Sequence, residues 1–550
     1  MSKYVFGFDF GTLSCRGVAI NLDDGRVVAT AEKKYAHGVI SRKMYHKNIS
    51  LKPGWYLQDP EDWIDCISSV SNYMLQQSGI YPEEVVAIGT DFTSCTLLPV
   101  TEDGTPLCLL SRFRDIPNAW PKLWKHHGAQ KYAEEIEKYA KENTSWLKDY
   151  FGNSVSSEWT FPKILQVLRE DPAVYKEAAY FMEAVDWIVM ALSGKLSRCS
   201  ATLGVNTFWI KEQGYPDKTF FEAIDAGLKD VVATKLAGEI VTVGDVVGYL
   251  TPRMAEKMGL TVNTVVAAGH SDGAVAGCGA GVTESGSMIL VMGTSTCHQM
   301  MYKEYHAFEG LCSIAADGMV PGLYGYESGQ PATGDIFQWF ADSCTPKRYY
   351  DEAAKKGISV LQYLGELAEQ IEPGGNGLVA LDWFNGNRSN LSNYNLSGTI
   401  VGLTLATKTE EIYRALVEAN VFGSKIILDN YEKNDVHISA VYAVGGIARK
   451  SPWIMQMCAD VFGQEVIVPL LDNVPALGSA VCGTVAYGKN AGDMELNTFK
   501  GAAERLIPQD SLIYTPDEGK EEKYKRIYGY YRKLHDLFGL DDSFMKGLRK

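Results

Sequence analysis

Two stretches about half a chain apart use the same device, and together they constrain the fold more than any other feature of the 550 residues. The first is Phe6-Gly7-Phe8-Asp9-Phe10-Gly11-Thr12-Leu13-Ser14-Cys15-Arg16. An apolar, β-rich run from Val5 to Phe10 breaks at Gly11-Thr12, and strand-like alternation resumes from Gly17 to Asn21. The second runs from Ser287 to Met300 and breaks at Gly293-Thr294-Ser295. Each predicts two antiparallel strands joined by a tight turn. Singly, either reads as an ordinary hairpin. Repeated, they predict a duplicated α/β fold with a nucleotide clamped between its halves.

The chemistry of the first bend suits a phosphate. Glycine allows backbone N–H groups to approach a ligand closely. Thr12 and Ser14 add hydroxyls, and Arg16 adds a planar cation matched to phosphate oxygens. Asp9 can hold a hydrated Mg²⁺, which takes one or two carboxylates and keeps most of its waters.

The length is too great for one core and predicts two large domains. With 52 Lys and Arg against 67 Asp and Glu, the net charge of −15 argues against a nucleic-acid or anionic-membrane partner. Phosphates must therefore be neutralised locally. Eleven cysteines, with no C-x-x-C pair, fit free thiols in a reducing cytoplasm. No leader is expected, because Met1-Ser2-Lys3 runs straight into the first strand. The most apolar helical stretch, 179–192, is too short to span a bilayer and carries Glu183 and Asp186.

Along the chain, Asp59 and Pro60 predict a helix start, with Trp63, Ile67, Val70 and Met74 as its buried stripe. Strand 85–91 places Asp91-Phe92-Thr93-Ser94 at its C-terminal end, where open α/β sheets bind ligands. A helical, aromatic-rich insertion spans roughly 118–187. Within it, His126 and His127 read as a solvated polar face around a buried Trp124 rather than as zinc ligands, because neighbouring helical residues diverge. The second half opens with strand 265–269 and Asp272. Thr407 with Glu410 predicts a capping box for a long helix, 408–431. Gly445-Gly446, following strand 441–444, predicts a phosphate or ribose cradle, although alone it would be a plain βα turn. Residues 475–488 predict a helix packed tightly on a sheet, and 515–538 a charged surface helix.

Asp9-Phe10-Gly11-Thr12, the strand ending at Asp272, Gly293-Thr294-Ser295, Gly445-Gly446 with Asp460-Val461-Phe462-Gly463, and Ala476-Leu477-Gly478-Ser479-Ala480 occur in order along nearly the whole chain. In these the sequence resembles the FGGY carbohydrate kinases of the actin-like ATPase superfamily. The resemblance implies two actin-like (ribonuclease H-like) domains around a central cleft, 1–270 on the sugar side and 271–550 on the ATP side. It also implies hinge closure that expels water when sugar binds. Within the family, Leu57-Gln58-Asp59-Pro60 with Asp62-Trp63, Asp91-Phe92-Thr93, Leu123-Trp124-Lys125-His126-His127 and Glu183-Ala184-Val185-Asp186-Trp187 resemble the ribulokinases. These transfer the ATP γ-phosphate to the terminal hydroxyl of L-ribulose, a step of L-arabinose catabolism.

By that resemblance Asp272, which could otherwise be a helix N-cap, is the catalytic base, and Asp9 with Asp272 holds Mg²⁺ mainly through water. Gly11, Thr12, Ser14, Arg16, Gly293 and Thr294 meet the phosphates. Gly334, Gln338, Gly445, Gly446 and Lys450 form the adenosine side. Ser94, Trp124, Asn206 and Glu327, together with Asp272, grip the sugar. Two positions depart from the ribulokinase pattern. Asn206 stands where a Lys is usual, and Ser94 where Ala is common. These changes leave another ketopentose, a tetrulose or a polyol such as ribitol as alternative substrates. A sugar-independent, actin-like ATPase switch is the reading from another class. The expected ligands are a small sugar and ATP, and oligomeric state is left open, with a homodimer as one candidate.

Overall fold

In the computed structural model, which describes residues 2–548, the chain builds two mixed seven-stranded sheets. The first contains β1 (Tyr4–Phe10), β2 (Ser14–Asn21), β3 (Val27–Lys34), β4 (Val85–Phe92), β5 (Val246–Tyr249), β6 (Val265–Ala267) and β7 (His270–Ser271). Its order is β3-β2-β1-β4-β6-β5, with β7 beside β4. The second contains β8 (Ser287–Met292), β9 (Thr296–Tyr302), β10 (Ser313–Ala316), β11 (Tyr324–Gln330), β12 (Ala440–Val444), β13 (Val466–Pro469) and β14 (Ser511–Tyr514), in the order β10-β11-β9-β8-β12-β13-β14. In each, the leading hairpin is antiparallel, and its first strand pairs in parallel with a strand arriving much later: β1 with β4, β8 with β12. The duplication expected from the two bends is thus a duplication of whole sheets.

Helix α1 (Pro60–Ser78) starts where its sequence says it should. Asp59 accepts the Glu61 N–H at 2.9 Å, Pro60 occupies the first turn, and Gly79 ends the helix in the left-handed conformation. Trp63, Ile67, Val70 and Met74 are buried, each contributing about 1.5–3 kcal/mol from apolar area removed from water. Between β4 and β5 lies the helical insertion, which includes α2 (Thr160–Glu170), α3 (Ala184–Ser193) and α4 (Ser200–Asn206). It has its own aromatic core around Phe151, Phe161, Phe208 and Phe221.

Two helices join the sheets. Helix α5 (Asp272–Gly279) follows the first sheet and packs chiefly on the later helix at 474–491, touching β4 and β7 of the first sheet and β8 and β9 of the second. After α6 (Gly334–Cys344), α7 (Thr409–Lys433), α8 (Gly446–Lys450) and α9 (Pro452–Phe462), helix α10 (Val474–Ala491) crosses back to lie on β1 and β4. Glycine makes this approach possible. A Cβ on Gly89 would stand 1.7 Å from the Ser479 carbonyl oxygen, and one on Gly7 would stand 2.0 Å from that of Ala476. The Ala- and Gly-rich composition of 475–488 is therefore explained by backbone-on-backbone packing.

Two local expectations are corrected. Helix α7 is not capped by Thr407 with Glu410. The Lys408 N–H donates to Glu411 Oε2 at 2.7 Å instead, and the Thr407 hydroxyl accepts from the Thr404 N–H. His126 is not solvated and does not lie on a helix. It is fully buried in a turn, edge-on to Trp55, with Nε2 3.0 Å from Gln166 Oε1. The C-terminal helix α11 (Glu518–Gly539) carries its charges outward, as expected, and buries Tyr524, Ile527, Tyr531 and His535.

Candidate active site

Parallel pairing of β1 and β4 makes Asp9 and Asp91 register partners, and β7 places His270 opposite Asp91 immediately before Asp272. Three acids therefore meet at three strand ends. Burial, the negative charge of Asp9 and that of Glu327 push the Asp272 carboxyl up to about 7. The N–H groups of Gly273, at 2.8 Å from Oδ1, and of Ser94 oppose this rise. Such a carboxyl is poised to exchange a proton near neutrality. Asp272 opens α5 but is not its N-cap, a position taken by Ser271.

Burial also raises Asp9, against the pull of Arg16, whose Nη1 lies 3.2 Å from Asp9 Oδ2. Asp91, fully buried and beside Asp9, is pushed well above the ordinary carboxylate range and is the member of the pair that keeps its proton. Its Oδ2 accepts a 2.6 Å hydrogen bond from Ser479 of α10, and its Oδ1 has no hydrogen-bond partner among the described residues.

The two bends are alike in plan but not in length, the first turning over residues 11–14 and the second over residues 293–295. The Gly11 N–H closes its turn onto Ser14 O at 3.0 Å, and the Gly293 N–H closes onto Ser295 O at 2.9 Å. These two amides are thus spent inside the turns, so the glycines serve through their missing side chains. Gly293, Gly334 and Gly445 stand together. A Cβ on Gly334 would lie 2.7 Å from Gly293 O, and one on Gly445 would lie 2.5 Å from Met292 O, with Gly445 at φ +98°. Gly446 faces open space. The expected adenosine side is therefore a glycine-walled corner. Gln338 and Lys450 are exposed near it, Gln338 bonding to Asp342. Ser14 and Arg16 are both tied to Glu32, at 2.6 Å and 3.3 Å, a partner with no local signal in the sequence.

A cleft of about 640 Å³ joins the bends to the insertion. Thr12 and Ser295 line it from the bends, Ser94 and Trp124 from the first lobe, and Asp272 and Glu327 from its floor. Trp124 Nε1 donates to Thr12 Oγ1 at 3.1 Å, so the aromatic wall is fastened to the first bend. Glu327, on β11 opposite Gln299, is raised by burial and held down by Arg388.

Asn206 does not line the cleft. As the last residue of α4 it is buried, donating to Cys95 Sγ at 3.3 Å, and its neighbour Val205 faces the cavity instead. Sequence reasoning missed Arg388 and Glu158, which reach the cleft from opposite lobes and approach to 3.9 Å. The signal for Arg388 was a lone cation within the turn-forming run Asn385-Gly386-Asn387-Arg388-Ser389-Asn390.

Two paired bends, a buried acid whose pKa is pushed up to about 7 and an open cleft of mixed polar and apolar lining suit a phosphotransferase acting on a hydroxylated small molecule. Comparison with known proteins narrows that class. Residues 4–279 match the N-terminal domain of the FGGY family of carbohydrate kinases, and residues 288–487 match its C-terminal domain. The chain belongs to this family, whose members phosphorylate sugars with ATP. It is 41% identical over 548 residues to a ribulokinase of Anoxybacillus flavithermus, covering 100% of this chain and 97% of the relative. It is 42% identical over 551 residues to one of Shouchella clausii, covering 100% and 98%. Among solved structures, a xylulose kinase from Rhodospirillum rubrum superposes with a TM-score of 0.78 at 22% identity, covering 99% of this chain and 100% of that one. Plasmodium falciparum glycerol kinase with ADP gives 0.76 at 15%, covering 97% and 98%. At those identities the structures establish the shared fold.

Proposed function

We propose that the chain transfers the γ-phosphoryl group of ATP to the terminal hydroxyl of a ketopentose, with L-ribulose the first choice and L-ribulose 5-phosphate the product. The observation that carries this reading is the position of Asp272, on the floor of one cleft between the phosphate bends and the Ser94–Trp124 wall. The full-length relatives named ribulokinase supply the sugar.

In this scheme Asp272 accepts the proton of the sugar hydroxyl as its oxygen meets the phosphorus in line. Ser94, Trp124 and Glu327 orient the sugar. Thr12 and Thr294 meet the phosphates beside Gly11 and Gly293, and Arg16 offsets charge at the first bend through Asp9. Gly334, Gly445 and Gly446 shape the adenosine side. Both sides of residue 270 then contribute to both ligands: Ser94 and Trp124 meet the sugar from before it and Asp272 and Glu327 from after it, while Thr12 and Arg16 face the phosphates from before it and Thr294 with the glycine-walled corner from after it.

A divalent cation fits the acids: burial raises the pKa values of Asp9 and Asp272, and a cation beside them would favour their ionised forms. Among the described residues no cluster of three or more His, Cys, Asp or Glu could hold a metal directly. Asp9 and Asp272 would thus hold Mg²⁺ largely through its waters, and the ion would supply charge neutralisation at the phosphates. The eleven cysteines, all free, support a reducing cytoplasmic setting. No helix among the described residues is long and apolar enough to cross a membrane.

The test is a coupled ADP-release assay with L-ribulose, D-ribulose, L- and D-xylulose, ribitol and erythrulose. L-ribulose is expected to give the highest kcat/KM. A tenfold better substrate elsewhere in the panel overturns the sugar assignment, and turnover indifferent to every sugar overturns the scheme.

A further inference from the structure

Lys163, in the middle of α2, is fully buried and is used by none of the steps above. Its Nζ donates to two backbone carbonyls, Cys95 O at 2.6 Å and Leu123 O at 3.1 Å. Those carbonyls belong to the residues that follow Ser94 and precede Trp124, the two cleft-wall positions contributed by the first lobe. A single ammonium therefore ties together two loops that are separate in sequence.

The Cys95 loop needs such a tie. Cys95 lies at φ +63°, in the left-handed region that a residue with a side chain seldom adopts. A second contact holds its side chain, because Asn206 Nδ2 donates to Cys95 Sγ. Thr160, three residues before Lys163 on the same helix, has its Oγ1 3.2 Å from Glu183 Oε1 and 3.4 Å from Asn206 Oδ1, which joins Asn206 to that cluster. Burial lowers the Lys163 pKa, and the carboxyls of Glu183 and Glu158 oppose that fall. A buried ammonium donating to carbonyls is a strong, directional strut. It is also costly to place, so its position between two loops of the cleft calls for a reason.

We infer that Lys163 is a positioning residue for substrate specificity: through Cys95 O and Leu123 O it sets the separation and orientation of Ser94 and Trp124, with Asn206 as an auxiliary brace on Cys95. This rests on the reading that Ser94 and Trp124 face the sugar. It gives Asn206 a role behind the wall, although that residue does not touch the cavity.

Lys163→Met keeps the length of the side chain and removes its donors. The KM for the best sugar of the panel is expected to rise at least tenfold, while the KM for ATP stays within twofold of wild type. Amide hydrogen exchange is expected to quicken in peptides covering 93–97 and 121–125, and not in the second sheet. The exchange arm needs no substrate, so it reads the strut even if the sugar assignment fails. A sugar KM within twofold of wild type, or unchanged exchange in both peptides, overturns the inference. If Lys163→Met does not fold, Asn206→Leu carries the test by cutting only the Cys95 brace. A two- to fivefold rise in sugar KM with faster exchange at 93–97 supports the inference, and no change in either overturns it.

Discussion

The two sheets share a strand plan yet differ in what stands at their strand ends. In the first, Asp9 and Asp91 are the penultimate residues of β1 and β4, and β7 delivers Asp272 just beyond its own end. In the second, the corresponding strands β8 and β12 end in Met292-Gly293 and Val444-Gly445, with no charge. One half thus concentrates acids, and the other removes side chains. The difference follows from what each half is proposed to face. Proton transfer and cation binding need carboxylates in a dry setting, whereas a phosphate chain already crowded by those acids needs close backbone approach and no further negative charge.

The largest expected effect lies on the acidic side. Asp272→Ala should lower kcat by about 10²–10⁴-fold with sugar and ATP binding retained, and a loss under tenfold would remove it as base. Wild-type kcat/KM should also fall on acidification below about pH 7, since only the ionised carboxylate accepts a proton and its pKa is pushed up to about 7. An acidic limb at an ordinary carboxylate pKa would break this part of the comparison.

Next come the glycines where the halves meet. Gly89→Ala would place a Cβ 1.7 Å from Ser479 O, backbone against backbone. A loss of about 3 kcal/mol or more is expected by denaturant unfolding, and a near-neutral variant would show that α10 can slide on the first sheet. The glycine-walled corner and the first bend should respond unequally to added methyls. Gly445→Ala forces a residue at φ +98° against Met292 O, costing about 1–3 kcal/mol and raising the ATP KM. Gly11→Ala meets only Ser14 O at 3.5 Å, so stability should change by about 0.5 kcal/mol or less. Equal stability losses would show that the glycine-walled corner is no more constrained than the acidic bend.

The fold was legible where pattern is local. The hairpins, α1 with its Asp59 cap and the small-residue helix at 475–488 follow from periodicity and turn chemistry, and the acids and bends follow from strand ends. Three features were not legible, for a shared reason. The packing of α5 against α10 between the sheets, the withdrawal of Asn206 behind Cys95 and the burial of His126 are set by contacts between residues far apart in the chain. Asn206, expected to face the sugar at a position where a Lys is usual, shows that a motif position does not fix a side chain's orientation. The seven-residue helix α4 turns it inward and Val205 outward. Arg388 and Lys163 carry no local signal beyond being cations, and only the fold shows that one reaches the cleft and the other stands behind it.

The smallest effect tests whether the acidic half really stores a proton between Asp9 and Asp91. Asp91 is pushed well above its ordinary value by burial and by the adjacent Asp9 charge. For an acid raised in this way, the favourable contribution to folding is complete below the unfolded-state value and is lost as pH rises above it, because the unfolded chain gives up its proton first. Asp91→Asn cannot ionise and can still accept the Ser479 hydroxyl through its carbonyl oxygen. The variant should therefore match wild type in Tm near pH 4 and gain several degrees by pH 8. A difference that is flat with pH, or that grows toward acid, would mean that Asp91 is ionised in the folded protein and that Asp9 holds the proton instead. The carboxylate beside Arg16 would then be the neutral one, and the metal-holding role proposed for Asp9 would pass to its register partner.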